Sequence, residues 1–135
     1  MDAFKRFACF TTARDASFVA LAAATLMIAY SFDLSLAFAV GASVELLFAL
    51  LLLLRLARLN DERIVRTEAW RILTPSERPV GDDGRRSARN DLELVLLNFS
   101  KAAACVAVML YSCSLLYALG RQSRSLYAFA GASLD

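Results

Sequence analysis

An apolar run over residues 16–54 constrains this chain more than any other feature of its sequence. Its 39 residues include only two that carry charge, Asp33 near the middle and Glu45 further along. A single straight helix of that length would span about 59 Å, roughly twice the hydrocarbon thickness of a bilayer. The run is therefore predicted to fold back at Asp33, between Ser31 and Ser35, into two membrane spans.

The composition supports a membrane protein and no separate soluble domain. Of 135 residues, 59% are hydrophobic, whereas soluble domains contain roughly 45 to 50%. The excess lies in blocks, which predicts an all-α membrane protein with one membrane domain over residues 1–135. Its three transmembrane helices are expected at about residues 16–32, 34–54 and 97–119, the first two forming a helical hairpin, with an Arg-rich connection over residues 55–91 before the third.

The ends of these helices are predicted from local signals. Residues 1–15 combine three basic residues with phenylalanines at three-residue spacing, a pattern typical of a short helix lying in the membrane interface. Asn90 followed by Glu93 forms a capping box, which predicts the start of the third helix, and Gly120 predicts its end. The 18 residues from 102 to 119 contain no charge, so we expect this helix to cross the membrane and not to lie along its surface.

The distribution of Lys and Arg predicts the orientation. The N-terminal segment has three and the 55–91 connection has nine, while the turn near Asp33 has none and the tail after Gly120 has two. Because basic loops stay in the cytoplasm, the N-terminus is expected there and the C-terminus in the periplasm.

Several classes of function are excluded by what the sequence lacks. The chain has no His, its three Cys residues form no CxxC motif, and no catalytic or nucleotide-binding motif is present. A net charge of +2 gives no strongly basic field for nucleic acid. We therefore expect no enzymatic activity, no cofactor, no metal and no nucleic-acid partner.

Glu45 is the strongest candidate for a functional residue. A carboxylate at mid-bilayer costs ~2.5 kcal/mol or more, so it usually faces other helices or water. Ala37, Gly41 and Glu45 follow at four-residue spacing on one face, where small residues permit close helix approach. This stripe is predicted to be a helix contact or an ion site.

The depth of Glu45 suggests two alternative ways of pairing its carboxyl group. An ion pair with Lys101 is one alternative. In the other, Glu45 is protonated, because loss of water disfavours a charged carboxylate, and donates a hydrogen bond to Thr25 or to a backbone carbonyl.

The Arg-rich connection offers a second candidate site. Its cations near the membrane could hold anionic lipid headgroups, each adding about 1 kcal/mol, although interspersed acids also fit a simple solvated surface. Trp70 suits a membrane-surface position. The residues assigned to this lipid-headgroup site are Arg55, Arg58, Arg63, Arg66, Arg71 and Trp70.

The connection also carries a family resemblance. The segments Asn60-Asp61-Glu62-Arg63-Ile64-Val65-Arg66-Thr67-Glu68-Ala69-Trp70, Glu77-Arg78-Pro79 and Gly84-Arg85-Arg86 are similar to an uncharacterised family of small bacterial inner-membrane proteins. The similarity extends from about Arg14 to the third helix. It implies a bacterial inner-membrane location and no particular activity.

Three functions are compatible with these features. The first is an accessory or scaffolding subunit that packs against a larger membrane complex or against itself through the Ala37, Gly41 and Glu45 stripe. The second is a small transporter or ion-coupling component with Glu45 as the proton or cation site. The third is a membrane-surface regulator acting through the 55–91 connection. Membrane lipids are expected partners in all three.

Overall fold

Three long α-helices make up the architecture of the residues that the structure describes. The computed structural model describes residues 3–59, 66, 71–76 and 81–132, and over these residues it contains helices α1 (Ala3–Ala29), α2 (Leu34–Ala57) and α3 (Gly81–Ala132) and no β-strand. All three are long and apolar enough to cross a membrane. The predicted all-α membrane fold is confirmed, and the chain has the make-up of a multi-pass integral membrane protein.

The hairpin turn between α1 and α2 lies at Asp33, as predicted. Asp33 is the N-cap of α2, with extended backbone angles of φ −129° and ψ 102°. Its carboxylate accepts hydrogen bonds from the backbone N–H groups of Ser35 and Leu36 at 3.0 and 3.3 Å. The same residue thus breaks the apolar run and satisfies two of the N–H groups that a new helix leaves without partners.

Helix α3 is longer at both ends than predicted. It has 52 residues and a length of about 78 Å, beginning at Gly81 instead of Asn90 and continuing through Gly120 to Ala132. Asp82 and Asp83 in its first turn favour this earlier start, because acidic side chains stabilise the positive end of a helix dipole. Gly120 does not end the helix because one interior glycine costs only about 1 kcal/mol relative to alanine.

The N-terminal segment is not the separate interfacial helix predicted from its phenylalanine spacing. It is the first part of α1 and packs inside the bundle, where Phe4 is 1% exposed and Ala8 is fully buried. Of the three phenylalanines at this spacing, only Phe10 is exposed, with 66% of its surface accessible. The three-residue phenylalanine spacing is also compatible with a helix that buries one face in a protein core, and sequence spacing alone does not separate that case from a membrane interface.

Packing differs between the two ends of the bundle. At the end formed by the start of α1, the end of α2 and the start of α3, large buried side chains build a hydrophobic core that includes Phe4, Leu52, Leu73, Leu92 and Leu96. Further along, the buried positions are mostly small residues.

These small buried positions are Ala23, Ala37, Gly41, Ala42, Ala103 and Ala107. Large side chains such as Ile28, Leu116 and Met109 lie on the outside there.

Gly41 lies where α2 contacts both α1 and α3. A Cβ atom built on it would be 2.5 Å from Sδ of Met27 in α1 and 3.5 Å from Cδ1 of Leu110 in α3. A methyl group could be accommodated by movement of the flexible Met27 side chain, but a branched side chain would also meet Leu110.

We expect Gly41→Leu to destabilise the bundle by about 1 to 3 kcal/mol through overpacking. The free energy of unfolding can be measured by circular dichroism during titration of mild-detergent micelles with a denaturing detergent. Gly120→Leu is the matched control, because nothing lies within 4 Å of a Cβ there. Met27→Ala in the Gly41→Leu background should restore part of the loss; equal stability of the Gly41 and Gly120 variants would contradict this packing.

Candidate functional site on the inner face of α2

Glu45 lies on the face of α2 that packs against the other helices. The buried residues of this helix are spaced three, four and seven positions from it, at Gly41, Ala42, Phe48, Ala49 and Leu52. Positions with that spacing share one side of a helix, so the side chain of Glu45 is on the side of α2 that faces the bundle. Glu45 as a whole is half-buried.

The predicted stripe of Ala37, Gly41 and Glu45 lies against the other helices of the same chain. Ala37 is 4% exposed, and Gly41 is buried between Met27 and Leu110. These two small residues therefore contribute to the packing of the chain's own helices. Glu45 is the member of the stripe that retains exposed surface.

Alanines surround the level of Glu45. Because α2 runs antiparallel to both α1 and α3, residues four positions after Gly41 on α2 face residues about four positions before Met27 and before Leu110. This register brings Ala23 of α1 to the level of Glu45 and places that level between Ala103 and Ala107 of α3, and all three alanines are buried. Methyl groups offer no hydrogen bond to a carboxyl group.

Neither predicted partner is bonded to Glu45. The Thr25 hydroxyl donates to the carbonyl oxygen of Leu21 in its own helix at 2.8 Å, and Lys101 is exposed. Among the residues that the structure describes, the side chain of Glu45 has no hydrogen bond or ion pair. The ionisable group predicted to need a polar partner thus has no hydrogen-bond or ion-pair partner among the described residues.

The lipid-headgroup candidates lie at the other end of α2. Arg55 is in the last turn of α2 and Arg58 is its C-cap residue. Both are exposed, as are Arg66 and Arg71. The two remaining candidates, Arg63 and Trp70, lie outside the described residues.

Hydrogen bonds between α2 and α3 form a serine seam, defined here as the pairs Ser35–Ser114, Ser43–Tyr111 and Ser100–Ala49. Ser114 Oγ donates to the carbonyl oxygen of Ser35 at 2.8 Å, and Ser35 Oγ donates back to the carbonyl oxygen of Ser114 at 3.1 Å.

The other two pairs extend the seam along the helices. Ser43 Oγ lies 2.9 Å from Tyr111 Oη, and Ser100 Oγ donates to the carbonyl oxygen of Ala49 at 3.2 Å. Sequence reasoning missed this seam. Its signal was the presence of isolated serines in two spans that are otherwise apolar.

An ion pair joins the hairpin turn to α3. Arg121 Nη1 lies 3.3 Å from Asp33 Oδ2. Beside this pair is an open cavity of about 520 Å³, which is also lined by Arg124 and Tyr117. Sequence reasoning did not predict that Arg121, just beyond the third span, would contact the turn between the first two.

Comparison with known proteins identifies no relative. No protein-family model, curated protein or solved structure matches this chain. Functional inference therefore rests on the chain's own geometry.

The serine seam predicts a measurable coupling between Ser35 and Ser114, because their two hydroxyl oxygens also lie 3.3 Å apart. Each substitution to alanine should destabilise the bundle by about 0.6 kcal/mol, the mean for interhelical hydrogen bonds in membranes, and the double variant should lose less than the sum. The measurement is a double-mutant cycle on the free energy of unfolding in detergent. Ser112→Ala is the control, because its hydroxyl donates within α3 to the carbonyl oxygen of Val108. Strict additivity of the two losses would argue against the seam.

Proposed function

We propose that this chain is a non-enzymatic accessory or scaffolding subunit of the bacterial inner membrane, which packs against a larger membrane complex or a second copy of itself. The observation that carries the proposal is the side chain of Glu45, which is half-buried, inward-facing and without a polar partner among the described residues. Ala37 and Gly41 hold the subunit's own helices together, and Glu45 is the group that a neighbouring protein would contact.

The energetic argument concerns the environment of the carboxyl group. An acidic residue inside a span costs free energy in lipid, reaching ~2.5 kcal/mol or more at the centre of the helix. A hydrogen-bond donor on a partner helix would offset this cost, and its benefit would be greatest where other polar groups are absent. Ala23 and Ala107 offer only methyl groups at this level. A hydrogen-bond donor for Glu45 would therefore come from outside the described bundle.

The remaining surface suits contact with lipid or with apolar helices. Large side chains along all three helices are exposed, for example Ile28 at 74%, Leu47 at 60% and Met109 at 69%. Single apolar side chains distributed around a bundle do not select one partner. A polar group among them does, because a mismatched partner would leave it unpaired.

A transport role is less well supported by the same geometry. A path for protons or cations needs several polar groups in sequence, and the seam hydroxyls of Ser35, Ser43 and Ser100 already take part in hydrogen bonds. Thr25 is bonded within its own helix. Glu45 is then an isolated ionisable residue in the span. This fits a contact with a partner helix better than a path for ions.

The proposed orientation places the N-terminus and the 55–91 connection in the cytoplasm. The basic residues concentrate in those two segments, as the positive-inside rule requires. Two arginines lie at the opposite end of the bundle, and one of them, Arg121, is paired with Asp33.

Co-purification of the tagged, full-length chain from its native membrane in mild detergent tests this function. Glu45→Ala should reduce the amount of associated protein about tenfold, since loss of a hydrogen bond to a charged or strongly polar group costs about 1.5 kcal/mol. Glu45→Gln should retain much of it because an amide still donates and accepts. Glu93→Ala, which removes a glutamate from α3, is the matched control and should have no effect.

Two results would contradict the proposal. One is a wild-type chain that purifies as a lone monomer. The other is a Glu45→Gln variant that keeps its associations but loses a pH-dependent ion flux in reconstituted vesicles, which would favour the transport role.

A further inference from the structure

The end of the bundle that carries the hairpin turn contains a cavity with an uneven charge distribution. The cavity of about 520 Å³ is lined by three charged residues, Asp33, Arg121 and Arg124, and by apolar side chains that include Phe32 and Leu116. Its net charge is therefore positive by one unit. This cavity lies at the opposite end of α2 from Arg55 and Arg58, and its use does not depend on the proposed function.

Both carboxylate oxygens of Asp33, the acidic residue of the cavity, already accept hydrogen bonds. Asp33 Oδ1 accepts from the backbone N–H groups of Ser35 and Leu36, and Oδ2 accepts from Arg121. Arg121 uses one of its five N–H donors in that contact, and 71% of its side chain is exposed. Most of the donor capacity of this guanidinium is available to a ligand.

Arg124 lies beside Arg121 in the lining of the cavity. It follows Arg121 by three positions on α3, so the two guanidinium groups share one face of the helix. Within the described parts of the chain Arg124 makes no hydrogen bond or ion pair. Two neighbouring guanidinium groups with free donors match an anion that offers several oxygen atoms, such as a phosphate group.

The position of the cavity along the bundle indicates where such an anion would be. Lys101 and Arg121 enclose an uncharged stretch of α3 whose length is about 30 Å, the thickness of the hydrocarbon layer. Arg121 therefore lies at the level of the phospholipid headgroups. The exposed Phe32 and Tyr117 are aromatic residues of the kind that concentrate at this level.

We propose that this cavity binds the headgroup of an anionic phospholipid, with its phosphate held by Arg121 and Arg124. The acyl chains would lie against the apolar wall formed by Leu34 and Leu116, which are 46% and 70% exposed. The cavity lining combines basic and apolar residues, which suits an amphiphilic ligand. The arginines would bind the phosphate, and the leucines, which continue into the apolar surface of the bundle, would contact the acyl chains.

Native mass spectrometry of the full-length chain in mild detergent, titrated with phosphatidylglycerol, tests the proposal. Arg124→Gln should weaken binding about fivefold, which is the effect expected for one cation near the membrane surface. Arg6→Gln removes an exposed positive charge at the other end of the bundle and should leave this binding unchanged. Circular dichroism verifies that each variant keeps its helical content.

The Asp33→Asn variant should change the affinity for phosphatidylglycerol in the opposite direction. Asparagine still caps the helix, but the negative charge in the cavity is lost. Binding of phosphatidylglycerol should become about fivefold tighter. If Arg121 and Asp33 served only to hold the turn against α3, the same variant would not tighten binding.

Four results would overturn the proposal. The first three are equal losses in the Arg124→Gln and Arg6→Gln variants, unchanged or weaker binding in Asp33→Asn, and equal affinity for zwitterionic phosphatidylcholine. Displacement of the lipid by millimolar inorganic phosphate would assign the cavity to a soluble anion and would also overturn it.

Discussion

The close packing of α2 between α1 and α3 is the interaction on which the rest of this fold depends. In a bilayer, contact between leucines gains little over contact with lipid chains, so helices associate through close approach and hydrogen bonds. Gly41 allows that approach, with Met27 on one side and Leu110 on the other. The serine seam adds directional bonds along the same interface, and these bonds fix the register of α3 against α2.

The bundle uses a different force at its other end. There Phe4, Leu92 and Leu96 form a core of large buried side chains, of the kind that the hydrophobic effect stabilises where water is the alternative surrounding. Helix α3 continues well before Lys101 toward this end, so Leu92 and Leu96 lie outside the uncharged stretch that fits the hydrocarbon layer. One chain thus combines a water-side core with a membrane-side interface of small residues, and each suits the solvent around it.

The sequence was sufficient for the parts of this fold that depend on length and hydropathy. The hairpin at Asp33 follows because the apolar run is too long for one crossing. The sequence was insufficient where two structures share one local pattern. Phenylalanines at three-residue spacing suit an interface or a core, and Asn90 can cap a helix or lie within one. Pairings such as Ser35 with Ser114, 79 positions apart, depend on the register between helices, which local spacing does not encode.

The candidate site shows the same division between local and distant information. That Glu45 faces inward follows from its spacing to Gly41 and Ala42, because residues three and four apart share one face of a helix. What it faces depends on how two other helices align with α2, and that alignment presents alanines at its level. The serines nearby hydrogen-bond with the backbone or with Tyr111, so the polar groups of the interface are used in holding the bundle together. Leucine at this position would cost less in lipid, so the stability of the described helices does not account for the acid, and this is the physical basis of the proposed contact with a partner protein.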